Sequence, residues 1–186
     1  MSLLIGVRDD AGYREELRQY LLFYSRVTCI VTIVLMLGGI GLDAAFYPSH
    51  LGEFAALRVV AAALIGLVLS FYGLEWGRRR ASQLTYLWLC VPQVTICWMI
   101  RQTEGEHSIY FVGLTFALSG VGFFLPLSLL EAVVFGLGTL VVYVLACFAR
   151  AGSGVDLHVL AGNMIFLVFY RSEERRVGKE CMPVCR

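Results

Sequence analysis

IYFVGLTFALSGVGFFLPLSLLEAVVFGLGTLVVYVLACF, residues 109–148, is a run of forty residues whose single charged side chain is Glu131. As one helix it would be about 60 Å long, twice the roughly 30 Å hydrocarbon core of a bilayer. The chain must therefore turn inside it. Pro126, with Ser128 and Glu131 close behind, is the turn signal, and it divides the run into spans at about 109–127 and 129–148.

Upstream, apolar runs at 27–46, 54–74 and 84–100 have the length that a membrane-crossing helix needs. The first ends at Tyr47-Pro48 and the second at Glu75-Trp76-Gly77 with Arg78, Arg79 and Arg80. The third contains Pro92, which bends a helix but need not end it where neighbouring helices satisfy the freed carbonyl. Downstream, residues 159–170 open a sixth span that stops after twelve residues. The fold class expected is all-α: a polytopic transmembrane helical bundle of five complete spans plus a truncated sixth. Residues 1–26 carry no signal-peptide pattern. Tyr13, Leu17, Tyr20, Leu21 and Tyr24 recur at helical spacing opposite Arg14, Glu15, Arg18 and Gln19, so the segment reads as a cytoplasmic amphipathic lead-in.

Basic residues beside the spans set the orientation. With the N-terminus inside, the cytoplasmic segments carry Arg8, Arg14, Arg18, Arg26, Arg78, Arg79 and Arg80, against Arg58, Arg101 and Arg150 on the far side. A cytoplasmic N-terminus and a multi-pass protein of the inner (plasma) membrane are expected.

Composition agrees. Of the 186 residues 59% are hydrophobic and 16% charged, against about 25% charged in soluble proteins, and the mean hydropathy is +0.75. A net charge of +1 excludes a basic nucleic-acid binder, and the apolar content excludes disorder. Motifs of hydrolases, zinc proteases, P-loop enzymes and dinucleotide binders are absent, so no catalytic residue, cofactor-binding residue or cofactor is expected in this stretch.

Residues 171–186, RSEERRVGKECMPVCR, break the pattern and hold Lys179, the one lysine of the chain. Residues 171–181 match the in-frame translation of a common short-read sequencing adapter over eleven consecutive codons. The segment is therefore expected to be a non-native tail, and the reading frame a truncated one. It contains five of the 15 basic and three of the 14 acidic residues, which leaves 10 against 11 and a net charge of −1 in the first 170. Cys181 and Cys185 go with it. Cys29, Cys90, Cys97 and Cys147 lie in apolar runs and read as buried small hydrophobes. Cys90 and Cys97, seven apart, can also share a helix face.

Among polar residues, Asp43 and Arg58 each sit about one turn inside their spans, flanking the hairpin FYPSHLGE. They can pair across it, which stabilises both, or serve a ligand or a proton. His50, His107 and His158 fall one in each far-side loop, beside Glu53, Glu104, Glu106 and Asp156. Imidazole with carboxylate can bind a divalent metal or titrate near neutral pH, although separate short loops fix no ligand spacing. Pro92-Gln93 and Gly162-Asn163 can line a small cavity, and interhelical hydrogen bonding accounts for Gln93 and Asn163 equally well. Gly38, Gly39, Gly66, Gly113 and Gly138 let helices approach. Trp76, Tyr86, Trp88, Trp98 and Tyr110 are expected as interfacial anchors.

The order of LDAAFYPSHLGEFAALRVV, GRRRA, the run 109–148 and LAGNMIFLVF resembles the N-terminal six-helix membrane region of bacterial sensor histidine kinases. Related regions precede diguanylate cyclase and class III adenylate or guanylate cyclase domains. Tyr47-Pro48-Ser49-His50 corresponds to the hairpin of that pattern, 109–114 to its fourth-helix start, Leu125-Pro126 with Glu131 to its turn, and Gly162-Asn163 with Phe166 to its sixth helix. Ile109, Phe111 and Gly162 depart from it. The resemblance implies a sensor or anchor module in which a stimulus biases helix packing and the sixth helix passes the shift to a cytoplasmic effector domain missing from the chain. With a histidine kinase, the assembly would be a homodimer acting on a response regulator. A cyclase parent is the near alternative. A small transporter or channel is the alternative from another class, and the chain shows no clear internal repeat of the kind many transporters carry.

Overall fold

The computed structural model describes residues 10–125, 129–150 and 154–180, with side chains within 18–120, 125, 130–150 and 154–168. Among these residues every regular element is helical: α1 (Asp10–Phe46), α2 (Leu51–Phe71), α3 (Glu75–Arg79), α4 (Ala81–Gln102), α5 (Tyr110–Phe124), α6 (Leu129–Phe148) and α7 (Leu157–Glu180). Two single 3-10 turns, Pro48–His50 and Gly105–His107, close the α1–α2 and α4–α5 connections. Helix is the only regular form a single apolar segment can take in lipid with all its backbone groups satisfied within itself. Hydroxyls inside these helices bond to their own backbone: Thr28, Thr85, Thr95 and Thr139 each donate to the carbonyl four residues earlier. That is how they tolerate apolar surroundings.

Among the described residues four helices are long and apolar enough to cross a membrane: Arg18–Phe46, Pro48–Phe71, Ala81–Gln102 and Leu130–Phe148. The described parts of the other two, Tyr110–Gly120 and Leu157–Val168, are apolar but shorter. α1 has no break at Arg26; at 37 residues it runs about 55 Å, so the lead-in and the first span form one rod. The Arg-rich turn after α2 contains a short helix, α3. α4 continues through Pro92. The chain turns between Phe124 and Leu129, while Pro126, the residue expected to make that turn, lies outside the described residues.

α4 is the central element. It packs against α1, α2, α5 and α6, and 61% of its apolar window is buried, against 22% for α1 and for α6. Its first half, with Leu84, Trp88 and Leu89, joins Cys29, Ile65 and Tyr72 in one core. Its second half, with Ile96, Cys97, Met99 and Ile100, joins Phe54, Leu114, Tyr143 and Leu167 in another. Pro92 and Gln93 lie between the two. α7 packs on α5 and α6. The outward faces carry large exposed apolar side chains such as Val34, Leu35, Phe116 and Val134. On a water-soluble protein such a surface would be a liability, whereas lipid accommodates it without cost.

Candidate functional site

Polar groups gather at four places in the bundle. Near the α1–α2 hairpin, Arg58 Nε donates to Asp43 Oδ2 at 2.6 Å and Nη2 donates to Oδ1 at 2.9 Å, a two-pronged pair between fully buried Asp43 and buried Arg58. Tyr110 of α5 donates its hydroxyl to Asp43 Oδ1 at 2.8 Å, and the Arg58 guanidinium stands 5.8 Å from the Tyr110 ring centre. Arg58 Nη1 also donates to the Met36 carbonyl at 3.4 Å. The carboxylate thus collects three donors from two other helices, and the charges cancel in place. A desolvated pair of this kind requires such complete bonding to offset the loss of water. Gly39 makes room for it: a Cβ there would lie 2.2 Å from Arg58 Nη1. Tyr47, Phe54 and Tyr110 form an aromatic cover, with Tyr47 and Phe54 ring centres 5.2 Å and 5.7 Å from that of Tyr110.

At the other end, Ser25, Thr85 and Tyr72 share hydroxyl bonds of 2.9 Å across α1, α4 and the end of α2, and Arg26 donates to the Tyr72 carbonyl. Arg80 packs over Trp76 at the same end.

The third place centres on Glu106. Gly105 adopts φ +62°, a left-handed conformation suited to glycine, and the chain there turns Glu106 inward to 5% exposure. Its Oε1 accepts the Asp156 N–H at 2.8 Å, and its backbone carbonyl accepts Asn163 Nδ2 at 2.9 Å. Asn163 Nδ2 also donates to the Tyr143 hydroxyl at 2.8 Å. Asp156 caps α7, its Oδ1 accepting the N–H groups of His158 and Val159. The loop before α5, helix α6 and helix α7 are therefore joined through one asparagine.

The fourth is a cavity of about 560 Å³ between α4 and α6, lined by Tyr86, Cys90, Gln93, Val94, Leu130, Glu131, Val134, Phe135, Gly138, Thr139 and Val142. Gln93 is 5% exposed, and among the described residues neither its amide nitrogen nor its amide oxygen has a hydrogen-bond partner.

Several expected groupings are rearranged. The histidines remain apart: His50 stacks on Phe54, His107 Nε2 is 4.0 Å from Glu106 Oε1, and His158 opens α7. Among the described residues no cluster of three or more His, Cys, Asp or Glu side chains is placed to hold a metal, because Glu106 and Asp156 are committed to the loop and the cap. Of the anchor aromatics, Trp76 and Trp98 are exposed, but Trp88 and Tyr110 are buried; position near a span end does not say which face a residue takes. Cys29, Cys97 and Cys147 are buried free thiols, whereas Cys90 is exposed along the cavity. Cys90 and Cys97 thus differ in surroundings, one exposed and one buried. Gln93 lines the cavity while Asn163 is spent on hydrogen bonds, and Pro126 is outside the described residues.

The sequence placed Glu106 among the loop carboxylates and Tyr110 among the interfacial anchors, and did not show that both turn into the bundle. The Gly105-Glu106 dipeptide was the available sign for the first, since glycine in a short polar loop permits an inward turn. For Tyr110 there was none, because α5 is apolar all round.

The family model MASE8 matches residues 41–170, a stretch that contains Asp43, Arg58, Gln93, Glu106, Tyr110, Glu131 and Asn163. No curated protein and no solved structure matches the chain.

Proposed function

The chain belongs to the MASE8 family, a family of membrane-associated sensor domains, and on that premise we propose that it is the membrane-embedded input module of a signal-transducing receptor in the inner membrane. The bundle crosses five times completely and α7 forms the sixth crossing, with the N-terminus in the cytoplasm. The receptor is a homodimer, and its output domain, a histidine kinase addressing a response regulator, follows α7. Residues 171–186 are foreign to the natural protein.

The observation that carries this reading is the tie between the far-side loop and α7. Asn163 bonds at once to the Glu106 carbonyl and to Tyr143, so displacing the loop alters the seating of the helix that leads toward an output domain. A receptor needs such an element with two seatings and a stimulus that prefers one of them. The uninterrupted coding sequence beyond the codon for Tyr170 tests it. A phosphoacceptor-histidine helix and an ATP-binding domain are expected. A diguanylate or adenylate cyclase domain would keep the sensor and replace the output, and a stop codon soon after α7 would overturn the receptor reading.

A further inference from the structure

The end of the bundle at the α2–α3 turn joins apolar surface to positive charge that no carboxylate answers. Gly77 is the inward residue of α3: a Cβ there would collide with the Phe71 carbonyl, so glycine is what lets this short helix fold back on the end of α2. The residues around it then point away from the bundle, and Trp76, Arg78, Arg79 and Arg80 are all exposed. Arg80 lies over the Trp76 indole at 5.1 Å, and Arg26 of α1 is held at the same level by its bond to the Tyr72 carbonyl. Glu75, the acid of α3, makes no ion pair with any of the four arginines, and none of them has a carboxylate partner among the described residues. Exposed Leu74 and Trp76 carry the apolar face of α2 up to the guanidinium groups. A soluble acidic partner would leave that apolar surface in water, whereas a phospholipid has acyl chains for it and a phosphate for the arginines, which guanidinium binds in a two-pronged way. A zwitterionic headgroup brings its own ammonium to the same place, so a lipid of net negative charge is the better match. Trp98 at the other end of α4 also has an arginine over it, Arg101 at 5.2 Å, but that guanidinium donates to the Ala149 carbonyl and no run of arginines adjoins it.

We propose that Arg78, Arg79 and Arg80, with Arg26 beside them, bind the phosphate of an anionic phospholipid whose acyl chains lie against Leu74 and Trp76. The assignment holds whichever output domain follows α7 and whichever way the chain faces, because both leaflets of the test vesicle are alike. The full chain is reconstituted in phosphatidylcholine vesicles containing a minor fraction of phosphatidylglycerol. An equal amount of one lipid or the other carries bromine on its acyl chains, so the charge of the bilayer never changes. Trp98→Phe reports quenching of Trp76 above the constant signal of buried Trp88, and Trp76→Phe reports Trp98 in the same way. Brominated phosphatidylglycerol is expected to quench Trp76 as though enriched about fivefold beside it, the enrichment that one interfacial arginine supplies, while Trp98 shows less than half of that preference. Arg78→Gln combined with Arg79→Gln should make the two lipids quench Trp76 equally. Arg78→Lys combined with Arg79→Lys keeps the charge and should retain a preference, which separates lost charge from a lost fold. Equal quenching of Trp76 by the two lipids in the parent, a preference as large at Trp98, or a preference that survives the glutamine pair would overturn the proposal. So would its loss on addition of millimolar glycerol phosphate, which would assign the arginines to a soluble phosphate ester.

Discussion

Arg58 and Asp43 form a matched pair whose value appears when one member is removed. Arg58→Met leaves Asp43 fully buried with a negative charge and only the Tyr110 hydroxyl among its former side-chain donors. The expected loss is about 3 kcal/mol in reversible unfolding from mixed micelles. Asp43→Asn combined with Arg58→Met should recover at least about half of it, because the uncompensated charge is then gone. Gly39→Ala gives an independent check. Its Cβ would overlap the guanidinium at 2.2 Å and displace it, at about 1–3 kcal/mol, while Gly38→Ala next door meets nothing within 4 Å and should be close to neutral. The pair was legible from the chain alone, since two opposite charges one turn inside adjacent spans have few other ways to be tolerated. The third partner was not. Tyr110 lies 67 positions from Asp43, on a helix with no polar face to show which way it points.

The helices themselves followed from the lengths of the apolar runs, and their connections were harder to read. Polar loops look solvated in sequence, yet the loop before α5 has a buried carboxylate, because a single left-handed glycine redirects it. α7 depends on this loop. Asn163→Ala removes two hydrogen bonds and is expected to destabilise the docked start of α7 by about 1 kcal/mol, raising deuterium exchange within 157–168 about fivefold with little change in α2. If α7 is the output helix, the same substitution shifts basal receptor output. Exchange that stays at parental rates would mean that the asparagine does not hold the helix.

At the scale of the bundle, the described long helices each carry exposed large apolar side chains, and arginines cluster at one end, with Arg26, Arg78, Arg79 and Arg80 near the α2–α3 turn. By the positive-inside rule we propose that this end faces the cytoplasm. A cysteine introduced as Ser49→Cys should then react with a membrane-impermeant maleimide added outside intact cells, above the background of the parent. Arg79→Cys should react only after the membrane is permeabilised. The reverse pattern would invert the orientation. What sequence could not convey at this scale is which helix sits in the middle, because every span is apolar and burial among neighbours depends on packing that lipid does not dictate.

The central place of α4 has a consequence for how the protein is made. Its hydropathy, 1.3, is well below the 2.2–2.3 of α1, α2 and α6, because its buried Thr85, Gln93 and Thr95 suit protein neighbours better than lipid. When α4 leaves the ribosome, α1 and α2 are already available, but α5 and α6 have yet to be synthesised. Of the four long apolar helices, the segment that later joins the two cores is thus the one with the weakest preference for lipid, so its insertion is expected to depend more than theirs on packing partners.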